Sequence, residues 1–551
     1  MQRKIAIKEY YQGQNVLFPE SLDSYIAATS PVRLINHIVE QLDLSAVMES
    51  YAGGGCSCYN PRMLLKVLFY GYLNNIYSCR KIARAMGENI HFMWLSGKQF
   101  PKYNTINNFR SLHLKQTIHD LFTQVVFMLV NMGYLTLKEQ YIDGTKLESR
   151  ANKYTFVWKK SVEKNKGKLE AKIHAILQDI EAGIASDNTP DDEPPTPINA
   201  DELRQRIAQI NRDNATKKQQ KQIAEIENKH LPKLEEYEHK LATCDTRNSY
   251  SKTDPDATFM RMKEDAMNNG QTKPAYNLQI ATENQFITNY DFYPNPNDTR
   301  TLIPFLQRHH QRYQQMPYAA IADAGYGSEE NYEFMEISKI EAFVKYNYFH
   351  KEQKRRFKEN AFLVENLYYN PKDNYFVCPM GQHMLLQGKT NRVSENGRTS
   401  EIHIYQAQCC TGCPLHGQCN KTKGNRRIEV NLKLRFYKQK AQKLLTSEEG
   451  LRHRSRRPIE PEAVFGQMKA NKNYKRFRHF GKDKISMDFA IFAIAFNIGK
   501  MWNINKKRKN TSKNQSKYLL ILLFVAPTNT TSNICSPNTV LFKKQTLRNA
   551  A

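Results

Sequence analysis

The chain has 551 residues, of which 40% are hydrophobic, and this length suggests about three or four domains with sizeable cores. Lysine and arginine outnumber aspartate and glutamate by 81 to 54, which suits a polyanionic partner such as nucleic acid, although a generic basic surface would give the same excess. Residues 1–20 lack the apolar core of a secretory signal, and the apolar run 518–526 is too short to span a bilayer. We therefore expect a soluble, cytoplasmic protein with no membrane partner.

Residues 1–132 are expected to form a helical N-terminal domain. Pro61 opens a segment with apolar residues at helical spacing, and Ser78 is a candidate N-cap for the next helix. That helix carries Arg80 and Arg84 on a basic side, as in helix-turn-helix units that bind DNA. A plain helical bundle with solvated charges fits the same pattern equally well.

The next segment divides into a short core piece and a long insertion. Residues 133–158 are assigned to the core and carry a predicted strand at 139–147. Residues 159–248 have apolar residues three and four apart, which is the spacing of an amphipathic helix, and Pro232 should kink or end a helix there. We interpret this segment as an antiparallel helical hairpin inserted into the core, with a role as spacer or dimer contact.

The second core piece, 249–348, alternates strands with helices. Asp298 and Thr299 are expected to cap a helix that reaches Leu306, and Ser328 should cap another. Strands are expected at 275–282, 286–293, 318–323 and 342–346.

Three segments complete the chain. Residues 349–432 form a basic, Cys-rich, turn-rich insertion, and residues 433–502 form the third core piece, with helices expected at 458–472 and 484–502. Residues 503–551 are basic and then polar, and we expect this tail to be disordered.

Three acidic residues stand out in this arrangement. Asp143 and Asp323 follow apolar, strand-like runs, and Glu462 opens a late helix. A mixed α/β sheet with acids at adjacent strand ends and on a late helix describes an RNase H-like fold. Carboxylate oxygens are the ligands that Mg²⁺ prefers, and paired metal ions promote phosphoryl displacement. Taken singly, each aspartate is more often an end-of-strand cap, so the hypothesis requires all three to meet.

Glu462 and Lys469 are seven residues apart on the expected helix. Seven residues make nearly two α-helical turns, so both side chains should lie on one face, with Val464 and Met468 turned toward a core. A carboxylate that holds a metal and a lysine two turns along could address adjacent phosphates, although a solvated charged face is equally compatible.

Longer stretches resemble a known family. They are Tyr-Ile-Asp-Gly-Thr-Lys-Leu-Glu (141–148), Asn-Lys-Tyr-Thr-Phe-Val-Trp-Lys-Lys (152–160), Asp-Pro-Asp-Ala-Thr-Phe-Met (254–260), Pro-Ala-Tyr-Asn-Leu-Gln (274–279), Ala-Asp-Ala-Gly-Tyr-Gly-Ser (322–328) and Glu-Ala-Val-Phe-Gly-Gln-Met-Lys (462–469). Together they resemble the DDE transposases of bacterial insertion sequences, and the helical start resembles the N-terminal domain of that family.

The resemblance implies an RNase H-like catalytic core in which Asp143, Asp323 and Glu462 are catalytic and bind Mg²⁺ or Mn²⁺. It also implies cleavage of double-stranded DNA at the terminal inverted repeats of an element, followed by attack of the freed 3′-hydroxyl on target DNA. Two element ends must be held together, so a homodimer on DNA is expected, in the bacterial cytoplasm at the nucleoid.

The resemblance also assigns DNA contacts. Lys469 matches the lysine of the family's Glu-x6-Lys motif. Ser455 and Pro458 stand where many relatives have tyrosine and arginine, and Arg456 or Arg457 could substitute in space. Further candidates for DNA contact are Trp158 and Lys159, for which a packing aromatic with a solvated lysine is the alternative, then Arg476, and the N-terminal Arg80 and Arg84.

Four cysteines form a candidate zinc site. Cys410 and Cys413 have the Cys-x2-Cys spacing of a zinc knuckle, and Cys378 and Cys419 could complete four thiolate ligands, with Cys409 as an alternative. The family carries similar cysteines, which supports structural zinc. Reduced thiols without metal remain the alternative.

The sequence therefore favours a metal-dependent DNA transposase. Two rivals stay open, a catalytically inactive DNA-binding protein derived from a transposase and an RNase H-like nuclease without strand transfer.

Overall fold

The computed structural model describes residues 21–51, 57–184, 198–209, 216–262, 270–393 and 397–512. The chain divides into two compact units, Met1–Lys500 and Met501–Ala551. Most of the predicted tail, 513–551, lies outside the described residues.

The N-terminal part of the first unit is helical, as predicted. Asn60 caps the helix that Pro61 opens, because its side chain accepts a hydrogen bond from the backbone N–H of Arg62. The helix after Ser78 buries Ile82 and Met86, although the Ser78 side chain makes no capping bond. The helices are α1 (Pro31–Gln41), α2 (Ser45–Glu49), α3 (Pro61–Leu73), α4 (Cys79–Glu88), α5 (Ile90–Ser96), α6 (Tyr103–Asn108) and α7 (Leu114–Asn131), with a π turn at Phe109–His113 before α7.

The first core strand is followed by a helical insertion with its own core. Pro232 is the second residue of a helix that directly follows a π turn at Ile226–His230, so the regular α-helical pattern is interrupted next to this proline. The elements are β1 (Glu139–Glu148), β2 (Phe156–Trp158), α8 (Lys159–Ile184), α9 (Ala200–Gln209), α10 (Lys217–Glu225), α11 (Leu231–Cys244) and β3 (Ser249–Ser251). Strands β2 and β3 pair antiparallel at the base of the insertion, and apolar side chains of α8 to α11 share one buried cluster. The structure thus has a small bundle where a helical hairpin was predicted.

A mixed sheet forms the centre of the fold. Its elements continue as β4 (Thr258–Arg261), β5 (Thr272–Glu283), β6 (Phe286–Tyr293), α12 (Leu302–Tyr313), β7 (Ala319–Ala322), α13 (Glu329–Ile337) and β8 (Glu341–Val344). The strand order is β4-β5-β1-β7-β8, with β6 also paired to β5. Strand β1 runs antiparallel to β5 and parallel to β7, and β7 runs parallel to β8. The mixed α/β class is confirmed, and the predicted strands are correct to within a few residues.

The predicted capping by Asp298 and Thr299 was wrong. A short 3-10 turn spans Asp298–Arg300, α12 begins only at Leu302, and its N-cap residue is Thr301. The Asp298 side chain instead accepts hydrogen bonds from the side chain of Asn277 on β5. By contrast, Ser328 does cap α13, because its hydroxyl accepts from the N–H of Asn331.

The Cys-rich segment contains a second sheet that was not predicted. Its elements are α14 (Phe349–Glu352), α15 (Arg355–Lys358), β9 (Tyr369–Asn370), β10 (Tyr375–Val377), β11 (His383–Val393), β12 (Thr399–Ala407), α16 (His416–Cys419) and β13 (Arg427–Val430). The strands pair antiparallel in the order β13-β12-β11-β10-β9. Phe376, Met384 and Tyr405 are fully buried between them, so this segment has its own small core.

Helices return at the C-terminal side. They are α17 (Leu432–Thr446), α18 (Glu448–Arg456), α19 (Pro461–Gly466) and α20 (Lys482–Ser512), with a 3-10 turn at Arg457–Ile459 and a π turn at Gln467–Asn471. Asn431 and Ser447 cap α17 and α18, two helices that were not predicted. Side chains of α17 pack with α12, α13 and the sheet in one buried cluster. Among the described helices, only α20 is long and apolar enough to cross a membrane, and 83% of its most apolar window is buried within the protein.

A buried polar network attaches the N-terminal helices to α20. Asp488 of α20 is fully buried and accepts hydrogen bonds from the hydroxyls of Tyr72 and Tyr474. The Arg110 guanidinium lies 3.7 Å from the same carboxylate, and Nε2 of His479 lies 3.6 Å from it. Burial opposes its ionisation, but these partners outweigh burial and hold the pKa of Asp488 well below its usual range.

We expect Asp488→Ala to lower the free energy of unfolding by about 3–5 kcal/mol, because it leaves the Arg110 guanidinium buried without its partner. Asp483→Ala on the same helix is the matched control, since Asp483 is 74% exposed and pairs with Lys115 at the surface. Its loss should cost about 1 kcal/mol or less. Urea unfolding of both variants would measure the difference, and equal losses would contradict the proposed importance of the network.

Candidate active site

Asp143 and Asp323 lie next to each other because their strands are parallel neighbours. Tyr141 of β1 is in register with Ile321 of β7, so the residues two positions further along each chain also face each other across the strand pair. Asp143 is within β1, whereas Asp323 follows the last residue of β7. Their side chains are 20% and 50% exposed.

Glu462 reaches the same place from α19, and a single arginine joins the three acids. The guanidinium of Arg457 lies 3.3 Å from Asp143, 3.9 Å from Asp323 and 2.8 Å from Glu462. Arg457 is only 8% exposed, although Glu462 is half exposed. Acids that are far apart in the sequence therefore converge, and the arginine predicted to contact DNA lies among them.

Burial and neighbouring charges act differently on the two aspartates. Burial raises the pKa of Asp143 to about 6 despite the opposing Arg457 guanidinium, and the negative charges of Asp298 and Asp323 add to the rise. Burial also acts upward on Asp323, but Arg457 and Lys345 outweigh it and hold the pKa of Asp323 below its usual value. Asp143 is therefore the carboxylate that would gain most from a further cation.

The donor set fits a hard divalent cation. Asp143, Asp323 and Glu462 offer only carboxylate oxygens, which Mg²⁺ and Mn²⁺ prefer. Three carboxylates face the Arg457 guanidinium and the Lys345 ammonium, which lies 3.5 Å from Asp323, so the group keeps negative charge that a divalent cation would neutralise. Two of the three side chains are half exposed, which leaves the site open to ions and substrate.

The regular α-helix expected between Glu462 and Lys469 is interrupted. Helix α19 ends at Gly466, and the following residues form a π turn that shifts the side-chain register. Val464 and Met468 are nevertheless buried, as predicted. Lys469 lines a cavity of about 320 Å³ together with Gly144, the residue after Asp143, and with Lys146, Asp298 and Lys475.

The other predicted DNA contacts are scattered. Arg456 lies 3.8 Å from Glu139. The Arg476 guanidinium donates to the backbone carbonyls of Ser149 and Arg150 and so holds the chain after β1. Arg80 lies over the ring of Tyr103 and Arg84 pairs with Glu88, both on exposed positions of α4.

Trp158 and Lys159 also lie away from the acids, at the start of the helical insertion. Trp158 is 38% exposed and packs beside Phe156, which is 47% exposed, and Phe259. The Lys159 ammonium donates to the carbonyl of Asp245. The indole is thus a surface aromatic that is partly packed and partly open.

The candidate zinc ligands line one small pocket. Cys378, Cys410, Cys413 and Cys419 all border it, together with Cys409, and none of them is in a disulfide. Arg426 donates from its side chain to the sulfur of Cys419 and from its backbone N–H to that of Cys410. Neither these thiols nor Asp143, Asp323 and Glu462 are among the described groups whose ligand atoms all lie within 4.8 Å of one another, so the structure gathers each set without closing a coordination sphere.

Comparison with known families covers two parts of the chain. The family described as Transposase domain (DUF772) matches residues 20–112, and the family described as Transposase DDE domain matches residues 377–502. The two matches indicate a DDE transposase of the insertion-sequence type. The second match includes Glu462, Arg457 and the cysteine pocket, whereas Asp143 and Asp323 lie outside both matches. No curated protein matches the chain.

The structure also brings together a cluster that sequence analysis missed. Ligand atoms of Glu139, Glu449 and His453 lie within 4.8 Å of one another. Arg452 already pairs with Glu139 at 2.7 Å, and the buried His453 ring is hydrogen-bonded to the Tyr141 hydroxyl. The four-residue spacing of Glu449 and His453 could have revealed the cluster, but only if α18 had been predicted. Because Arg452 already pairs with Glu139, we interpret this cluster as an ion-pair network and not as a metal site.

We expect Arg457→Met to lower the stability of the metal-free protein by about 2 kcal/mol, less than for a fully buried pair because two partners are half exposed. Added Mg²⁺ should raise the melting temperature of this variant more than that of the wild type, because the cation no longer competes with a guanidinium. Arg456→Met is the control and should change stability by less than about 1 kcal/mol. Thermal melts with and without Mg²⁺ test this, and identical behaviour of the two variants would contradict it.

Proposed function

We propose that this transposase binds the terminal inverted repeats of its element, cleaves the DNA ends by metal-assisted hydrolysis and joins the freed 3′-hydroxyl to target DNA by transesterification. The observation that carries the proposal is the convergence of Asp143, Asp323 and Glu462 on one guanidinium. DDE transposase domains use divalent metal, and a divalent cation bound here would activate the attacking oxygen and stabilise the leaving oxygen.

The RNase H-like architecture is part of this proposal. It is supported by the mixed sheet, in which Asp143 and Asp323 belong to adjacent parallel strands, and by the late helix α19 that brings Glu462 to them. The helical insertion and the Cys-rich sheet interrupt this core between its acidic residues, so we assign the core to 133–158, 249–348 and 433–502.

The chain's own residues would position the DNA. Half-exposed Asp323 and Glu462 form the open side of the site, where a scissile phosphate can approach. Lys469 and Lys475 line the adjoining cavity, and their charge favours the neighbouring phosphates of the same strand. If a cation neutralised the carboxylates, Arg457 would be free to pair with a phosphate oxygen.

Recognition and assembly would involve surfaces further from the acids. The exposed basic side of α4, with Arg80 and Arg84, would contact the repeat, and the open face of Trp158 would meet the DNA end. A homodimer would hold two element ends together, in the bacterial cytoplasm at the nucleoid.

We expect Asp143→Asn, Asp323→Asn and Glu462→Gln each to slow cleavage of a labelled element end by about a thousandfold or more, since metal catalysis contributes several kcal/mol. Binding of the same DNA should persist. Glu448→Gln, an exposed acid on α18, is the control and should cleave like wild type. An acid variant that cleaves normally would remove that residue from the mechanism.

The same assay separates the rival functions. Joining of the cleaved end to a target plasmid supports the transposase over a nuclease without strand transfer. Binding without cleavage by the wild type, in Mg²⁺ and in Mn²⁺, would instead identify an inactive DNA-binding derivative.

We also propose that the cysteine pocket holds structural zinc, with Cys378, Cys410, Cys413 and Cys419 as ligands. Support comes from their shared pocket and from Arg426, whose two N–H···S contacts favour thiolates. A modest inward movement of the sulfurs would be needed to reach the zinc–sulfur distance of about 2.3 Å.

We expect purified protein to carry about one zinc ion per chain and Cys413→Ser to lose it, as measured by elemental analysis. Cys58→Ser is the matched control, because Cys58 is exposed and far from the pocket in sequence, and it should keep the metal. Wild-type protein without stoichiometric zinc would contradict the site.

A further inference from the structure

Asp298 is an acidic residue whose position is unexplained by local structure. It opens the 3-10 turn after β6, but its side chain does not cap α12. Its carboxylate is turned toward the sheet, where Oδ1 accepts hydrogen bonds from the side-chain amides of Asn277 and Gln279, at 2.8 Å and 2.9 Å. The chain therefore directs a charged group inward at the edge of the acidic cluster.

The two glycines beside the catalytic aspartates show how close Asp298 lies. A Cβ placed on Gly144, the residue after Asp143, would lie 2.2 Å from Nε2 of Gln279 and 2.7 Å from Oδ1 of Asp298. A Cβ placed on Gly325, two residues after Asp323, would lie 3.7 Å from Oδ2. The carboxylate thus lies between the chain segments that carry the two aspartates, and a side chain at position 144 would collide with the Gln279 amide and with the carboxylate that it holds.

A buried amide relay fixes the direction of this carboxylate. Asn277 and Gln279 are almost fully buried on β5 and point to the same side of the strand. The Tyr326 hydroxyl, in the turn after Asp323, donates to the amide oxygen of Gln279. Because that oxygen accepts a hydrogen bond, the amide nitrogen of Gln279 must face Asp298. The turn that follows Asp323 therefore helps to orient the Asp298 carboxylate.

The hydrogen bonds from Tyr326 to Gln279 and from Gln279 to Asp298 resemble those that orient metal ligands in proteins. Donors fixed on one oxygen of a carboxylate hold the other oxygen in place, and carboxylates that bind metals are commonly supported in this way. Gathering a further negative charge beside Asp143 and Asp323 is unfavourable unless a cation is present. If the side chain at position 298 served only to accept hydrogen bonds from Asn277 and Gln279, a neutral side chain would be sufficient.

We propose that Asp298 is a fourth carboxylate of the metal site, with Oδ2 directed at the divalent cation that Asp143 holds. This inference rests on the proposed metal-dependent function. It adds to that function a residue that neither the motif Asp-Asp-Glu nor the family matches contain.

The test measures Mn²⁺ binding to the full-length protein without DNA. The loss of the electron paramagnetic resonance signal of free Mn²⁺ reports the amount bound. We expect Asp298→Asn to weaken Mn²⁺ binding by about 10–100-fold. The asparagine oxygen can still accept from Asn277 and Gln279, so the fold should be kept, with a melting temperature near that of the wild type. Asp298→Glu keeps the charge but displaces it, and it should weaken binding by a smaller factor.

Two controls make the outcomes distinct. Asp291→Asn removes a partly buried acid on the neighbouring strand β6 and should bind Mn²⁺ like wild type. Asp143→Asn should lose the site. If Asp143→Asn weakens binding but both Asp298 variants match wild type, the role of Asp298 is overturned while the proposed function stands. If Asp143→Asn also binds like wild type, the metal site itself is overturned.

Discussion

The parallel pairing of β1 with β7 is the constraint on which the site depends. It places Asp143 and Asp323 side by side, although 159–248 and further strands separate them along the chain. Two carboxylates at that spacing repel each other, and burial raises the pKa of Asp143 to about 6. Arg457 offsets this repulsion by entering between the two aspartates and Glu462. The strand pairing therefore brings negative charges together, and the buried guanidinium of Arg457 only partly neutralises them. The remaining negative charge is the property that suits a metal site.

The rest of the molecule keeps these pieces in register. Helix α18 leads directly into the turn that carries Arg457, and α19 follows with Glu462, so both positions depend on helices packed against the sheet. Asp488 ties the N-terminal helices to α20 through Tyr72 and Arg110, which links the candidate repeat-binding helices to the core. The bundle of α8 to α11 and the Cys-rich sheet each have a separate apolar cluster. They can therefore be accommodated between core strands without disturbing the order of the central sheet.

Sequence patterns predicted the parts of this fold that depend on local signals. Apolar runs located β1 and β7, the hairpin of β5 and β6 was clear, and Ser328 capped α13 as expected. Sequence patterns did not predict features that depend on contacts between residues far apart in the chain. The π turn after Gly466 interrupts the regular helix that was expected to carry both Glu462 and Lys469, and the side chain of Asp298 bonds to Asn277 on β5 instead of to its own helix. The burial of Arg457 could not be read from spacing, because it results from the meeting of three separate segments.

The central claim is that Asp143, Asp323 and Glu462 form a site for divalent cations. Anomalous diffraction from crystals of the full-length protein soaked in Mn²⁺ tests it most directly. We expect anomalous peaks within coordination distance of oxygens from all three residues, with the guanidinium of Arg457 moved from its position between them. Peaks confined to Glu139, Glu449 and His453, or no peak near the three acids, would contradict the account.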